Sequence, residues 1–156
     1  TAADAAITVC EKHLTDTKAF NTEIETYLVK HLLVLICSEF EEMIRRVVDA
    51  RVANVADAEI VAFVRSATAQ LCRGLRISDL AGLLARFAPA VKDAFSGNVT
   101  NTAAHTSFDT IISNRIQVAH TTGTINLTLL ELKQRYEESK GIIRHFATAL
   151  NVGHPC

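Results

Sequence analysis

Arg115 and His120 are the residues of this chain whose types and spacing best suit acid–base chemistry at an anionic group. They stand five positions apart in Arg115-Ile116-Gln117-Val118-Ala119-His120, just before the turn-forming Thr121-Thr122-Gly123. Histidine exchanges a proton near neutral pH and so can act as a general acid or base. Arginine keeps its charge and presents a planar fork of donors to anionic oxygens. The arginine is also oddly placed. At about 100° per residue, Phe108, Ile111, Ile112, Ile116 and Ala119 form one apolar helical stripe, and Arg115 projects near its middle. A guanidinium on a core-facing stripe demands a partner.

The elements that must position this pair are helical. An expected first helix covers Ala2 to Leu14. A long one follows from about Phe20 to Ala53, with Ile24, Leu28, Leu32, Leu35, Ile36, Phe40, Met43, Ile44, Val47 and Val48 as the spine of a bundle. Asp57 can cap a third helix carrying Ile60, Val64, Ala67 and Leu71, which Cys72-Arg73-Gly74 ends. Ser78 can cap a short helix that stops before Pro89. Ser96-Gly97-Asn98 opens an expected polar loop reaching Ala103, and the helix of the arginine runs from Ala104 to Ala119. The last helix starts with a capping box, Thr128-Leu129-Leu130-Glu131. Leu129, Leu132, Tyr136, Ile143, Phe146 and Leu150 then keep a near-heptad spacing, broken only at Ser139. No stretch alternates with period two, so the expected fold is all-α, an antiparallel bundle of five to six helices forming a single domain over residues 1–156.

Three acids of the long helix are near enough in type and place to pair with Arg115. Glu39 and Glu42 fall on the far side from Phe40, Met43, Ile44 and Val47, whereas Glu41 falls beside Cys37, Ile44 and Val48. Glu41 is therefore the expected inward-looking acid, joining Arg115 across two helices or Arg45 four residues along its own. His120 lies about 140° further round an ideal helix than Arg115. A distorted last turn, or a cleft shared with a two-fold related chain, would bring the two together. The structural alternative for His120 is a histidine that meets the free carbonyls of a helix end. For Arg115 it is a buried ion pair.

Asn114-Arg115-Ile116-Gln117-Val118-Ala119-His120, at the end of a late helix in a small all-α chain, resembles the Arg-x4-His motif of the HEPN superfamily. Leu35-Ile36-Cys37-Ser38-Glu39-Phe40-Glu41 resembles that family's earlier helix, and Glu41 matches its acid. The likeness spans roughly residues 25 to 150. The chain departs from the pattern at Ile116, where the family usually has asparagine, aspartate or histidine, and at Thr122, where one toxin subgroup has tyrosine. The resemblance implies a HEPN-like bundle and metal-independent cleavage of RNA by its 2′-OH at a homodimer cleft. On that reading His120 is the general acid or base, Arg115 the phosphate clamp, and Glu41 the residue that orients Arg115. Asn114, Gln117 and Thr121 would contact RNA. No metal or other cofactor is expected. Toxins and effectors of anti-phage defence or RNA processing are the implied roles, with an antitoxin or other regulatory partner. The alternative is a non-catalytic dimerisation or RNA-binding module.

Composition bounds these readings. The chain has 156 residues, of which 49% are hydrophobic, with two prolines and a formal net charge of -1. It is long enough for a sizeable core and too ordered in composition for a disordered tail. Without a charge excess, nucleic-acid binding by bulk charge is disfavoured, and a local basic site stays open. Cys10, Cys37, Cys72 and Cys156 form no C-x-x-C pair, which suggests a reducing compartment. The apolar run Leu32 to Cys37 is too short to span a bilayer, so a cytoplasmic protein with no membrane partner is expected. His13, His31, His105, His145 and His154 lack ligand-like spacing. His31 reads as a core histidine, and His105 can flank the arginine site. Arg73 and Arg76 bracket a turn, as a solvated helix end or a contact to RNA backbone.

Overall fold

The computed structural model describes residues 1–71, 75–120 and 125–153, except the side chains of Leu71 and His120. Among the described residues the chain is all-helical. The helices are α1 (Ala2–Thr17), α2 (Glu23–Val52), α3 (Ala58–Leu71), α4 (Ile77–Phe87), α5 (Pro89–Val99), α6 (Ala103–His120) and α7 (Leu129–Ala149). Among these residues, no helix is long and apolar enough to cross a membrane.

The capping chemistry expected from the sequence holds at two starts. Asp57 Oδ1 accepts the backbone N–H groups of Glu59 at 2.9 Å and Ile60 at 3.2 Å, which begins α3. Thr128 and Glu131 form the reciprocal box that begins α7. Two expectations fail. Ser78 does not cap α4: Arg76 is its cap residue, and Asp79 accepts the Arg76 N–H at 2.9 Å. Ser96-Gly97-Asn98 does not open a loop, because it lies inside α5. Pro89 stands at the first turn of that helix, where its missing N–H costs nothing, and buried Phe95 and Val99 hold the weak helix formers in register. The chain leaves α5 through Asn101, at φ 61°.

Cross-helix contacts fix the directions. Phe40 of α2 lies 5.2 Å, ring to ring, from Phe108 of α6 and 5.8 Å from Tyr136 of α7. Ser107 donates to Glu138, and a Cβ added at Gly141 would come within 3.2 Å of the Ala104 Cβ. The α6 and α7 backbones therefore approach closely and run antiparallel. Glu25 and Glu39 of α2 meet Leu129 and Tyr136 of α7, so those two long helices run the same way, with α1 and α6 opposed to both. Helix α5 joins the bundle through an edge-to-face contact of Phe95 with Phe146 at 6.1 Å.

The spine of α2 is shifted from its sequence reading. Val29, Leu32, Leu33, Ile36, Cys37, Phe40, Ile44, Val47 and Val48 are buried, while Ile24 is 49% exposed and His31 is exposed. His31 is thus not a core histidine. It shares the sector opposite the core with Ile24, Tyr27 and Val34, all exposed. In α3, Ile60 is exposed, Val64 and Ala67 are half-buried, and the buried residue among the described side chains is Thr68. The gap in the α7 heptads is filled by a fully buried Ser139, whose hydroxyl donates to the Arg135 carbonyl at 2.6 Å.

Candidate functional site

Helix α6 leaves the core as it ends. Phe108, Ile111 and Ile112 are buried, Ile116 and Val118 are half-buried against the core, and Ala119 is exposed. Arg115 sits at this exit and is itself half-buried. Water at the end of the bundle makes a charge tolerable on a stripe that two turns earlier would exclude it. Thr102 starts the helix, its hydroxyl oxygen accepting the His105 N–H at 3.1 Å, and the backbone stays α-helical through His120.

Arg115 lies near enough to Cys37 of α2 for its charge to act on that thiol. Burial pushes the Cys37 thiol up to about 12, the positive charge of Arg115 draws it back down, and the carboxylate of Glu41 pushes it up. One buried sulfur therefore feels both of the residues expected to pair. Even so, no Glu41–Arg115 bridge is among the ion pairs of the described residues. The other expected pairing, Glu41 with Arg45, is also replaced: Arg45 bonds Glu42 at 3.2 Å, which Arg46 holds from the other side at 3.1 Å. Glu41 and Gln117 are each engaged in interactions of their own. Asn114 is half-buried and donates to the Thr110 carbonyl at 2.8 Å, four residues back along the helix. Ile116 packs at the core edge. The His120 side chain, Thr121, Cys72, Arg73, Thr122, Gly123, His154 and Cys156 lie outside what is described.

The regular register of α6 separates the motif residues. Position 120 falls about 140° round the helix from Arg115 and about 20° from position 113. Asp109 and Ser113 are exposed on a sector of α6 away from Arg115. His105 stands at the edge of the same sector, its Nε2 3.4 Å from Oδ2 of Asp109. Two adjoining clefts share His105, Asp109 and Ser113. One, of about 420 Å³, runs over Thr106, Thr110 and Asn114. The other, of about 310 Å³, is walled by Arg76, Ile77 and Ser78 from α4. The i, i+4 spacing of His105 and Asp109 was a readable signal for this pair.

Two acids outside the expected site tie helices together. Glu39, placed by the sequence reading on the far side of α2, is half-buried. It accepts the Tyr136 hydroxyl at 2.5 Å and the Ala3 N–H at 2.9 Å, joining α1, α2 and α7. Burial, with the Glu39 carboxylate beside it, pushes the Tyr136 phenol well above its ordinary range. Glu25 is 5% exposed and accepts the Asn21 N–H at 2.6 Å and the Leu129 N–H at 2.8 Å. Local pattern carried no signal for either, because their partners are distant in sequence or in backbone. Among the described residues no three His, Cys, Asp or Glu side chains cluster as a set of metal ligands.

Compared with known proteins, the chain matches no family model, no curated protein and no solved structure. Fold and site together define an all-α helical bundle with a half-buried arginine at the end of its sixth helix.

Proposed function

We propose that this chain is a metal-independent endoribonuclease of HEPN type, acting as a homodimer. The observation that carries the reading is Arg115: a half-buried guanidinium on the core-facing side of a late helix, outside every ion pair of the described residues, near the α2 segment that also carries Glu41. Such a group is poised to take an anion from solvent. In this mechanism Arg115 clamps the scissile phosphate and stabilises charge growing on its oxygens. His120 removes the 2′-OH proton or protonates the leaving 5′-oxygen. Glu41, whose charge acts on the same buried thiol as that of Arg115, orients the guanidinium. Asn114, Gln117 and Thr121 flank the RNA. The angular separation of positions 115 and 120 is met by a second chain, so that acid and base come from different copies. A toxin or an anti-phage or RNA-processing effector, held by an antitoxin or other regulatory partner, is the role that follows.

The test is incubation of end-labelled single-stranded RNA with the protein in chelator. Wild type should cut it to 2′,3′-cyclic phosphate ends or their opened products. His120→Ala should slow cleavage by about 10²–10⁴-fold, the usual worth of acid–base catalysis. Equal cleavage by His120→Ala would sink the assignment. The second reading, a non-catalytic RNA-binding or dimerisation module, is favoured by Ile116, whose apolar side chain packs at the core edge where the family places a polar residue. Intact RNA binding without cleavage would establish it.

A further inference from the structure

The cleft between α4 and α6 contains an arrangement that neither the fold nor the proposed motif uses. Arg76 reaches into it from the start of α4, and among the described residues its guanidinium belongs to no ion pair. The nearest acid in sequence, Asp79, accepts the Arg76 backbone N–H through Oδ2 at 2.9 Å and forms no ion pair with the guanidinium among the described residues. Opposite lies His105, its ring held by Asp109 at 3.4 Å. That contact engages Nε2 and leaves Nδ1 as the ring nitrogen without a carboxylate. Ser78 and Ser113 line the same cleft, and among the described residues neither hydroxyl is committed to a hydrogen bond. A free guanidinium, two free hydroxyls and, when the ring is protonated, the Nδ1–H of His105 surround a cleft of about 310 Å³ as a set of donors. The one acid among them is already turned to the histidine. Such a set suits a phosphate oxygen better than a carbonyl or an amine, since arginine binds phosphate through a planar fork and hydroxyls add to it.

The place of the cleft extends the argument. It opens into the neighbouring cleft over Thr106, Thr110 and Asn114, so a continuous polar surface follows the outer sector of α6 toward its end. From His105 to Arg115 the helix rises about 15 Å, the reach of a short run of single-stranded nucleotides. Bulk charge cannot hold RNA on a chain of net charge -1, so local phosphate contacts must.

We infer that Arg76, His105, Ser78 and Ser113 form a phosphate subsite for single-stranded RNA, which binds a backbone phosphate some nucleotides away from the Arg115–His120 centre. This rests on the ribonuclease reading above for the identity of the ligand. The subsite positions the strand and does not take part in cleavage.

The experiment is fluorescence anisotropy of a labelled oligouridine, titrated with full-length protein carrying His120→Ala so that the probe survives. Adding Arg76→Ala and His105→Ala to this background should weaken binding by about tenfold or more. It should also flatten the dependence of log K on log salt by about 0.7 for each phosphate that the protein no longer neutralises. Lys12→Ala, which removes an exposed cation on α1, should leave affinity unchanged, and Arg76→Lys should restore part of the affinity. Circular dichroism melts confirm folding, and Ser113→Ala, a small change on the exposed face, gives a second readout if the double variant unfolds. Unchanged affinity in all cleft variants, with the His120→Ala background binding RNA, would overturn the subsite and leave the ribonuclease reading standing. Binding that depends on the cleft in a protein that never cleaves RNA would uphold the subsite and sink the catalytic reading. A wild type that neither binds nor cuts RNA would overturn both.

Discussion

The Cys37 thiol is raised chiefly by burial, with Arg115 and Glu41 acting on it in opposite directions. The folded chain holds its proton up to about pH 12 against a reference of 9.0. The sign follows from linkage: a folded state that binds a proton more tightly is at full relative stability below the unfolded value and loses it as pH rises. The Cys37 contribution is therefore intact below pH 9.0 and is lost progressively toward about 12. Cys37→Ala should flatten the alkaline limb of stability, measured by urea unfolding at several pH values between these limits. An equally steep limb in the variant would mean that the thiol is not where the fold places it. Tyr136 allows a second test at this scale. Removing its hydroxyl with Tyr136→Phe deprives half-buried Glu39 of one of two donors, at a cost of about 1–3 kcal/mol in unfolding free energy. Combining it with Glu39→Gln should cost less than the sum of the two, because both act on one bond.

At the level of elements, the parallel pairing of α2 and α7 needs a device at the end where both begin. Glu25 supplies it. One carboxylate satisfies the Asn21 N–H just before α2 and the Leu129 N–H at the first residue of α7, a donor that helix geometry leaves without an intrahelical partner. Glu25→Ala should destabilise the fold by roughly 1–3 kcal/mol per stranded donor, seen as a lower Tm, and should speed hydrogen exchange at the first turn of α7 before elsewhere. The antiparallel packing of α6 on α7 depends on Gly141 in turn. A side chain there meets Ala104 at the close approach, so Gly141→Leu should cost about 1–3 kcal/mol by overpacking. On the ribonuclease reading, because α6 carries Arg115, the same substitution should lower cleavage as well as stability. A variant as stable as wild type would show that the two backbones have room to part.

For the molecule as a whole, the separation of Arg115 and position 120 around α6 decides the form of the proposed site. On the ribonuclease reading, two positions about 140° apart on one helix are brought to one phosphate by a second chain. The proposed activity therefore belongs to the dimer. Specific cleavage activity should fall on dilution through the dimer dissociation constant, with sedimentation velocity showing the monomer appear over the same range. Activity independent of concentration, in a protein shown to be monomeric, would count against a composite cleft.

Local order was legible because it rests on near neighbours: the all-α class, the Asp57 and Thr128 caps, the core stripe of α6 and the odd position of Arg115 all follow from spacing along the chain. Propensity misled where packing outweighed it, as at Ser96-Gly97-Asn98, held in α5 by the burial of Phe95 and Val99. The pattern also misled on α2, where it places Ile24 in the spine and His31 in the core, although both are exposed. Which acid turns inward was beyond any local pattern. Glu39 reaches Tyr136 97 positions away and Glu25 reaches Leu129 104 positions away, and only the docking of α7 supplies those donors. The sequence by itself determined that a charged arginine would stand on an apolar helical stripe ahead of a histidine. Tertiary structure decided that the stripe leaves the core at that residue, because only the assembled bundle has an end at which water can reach a charge.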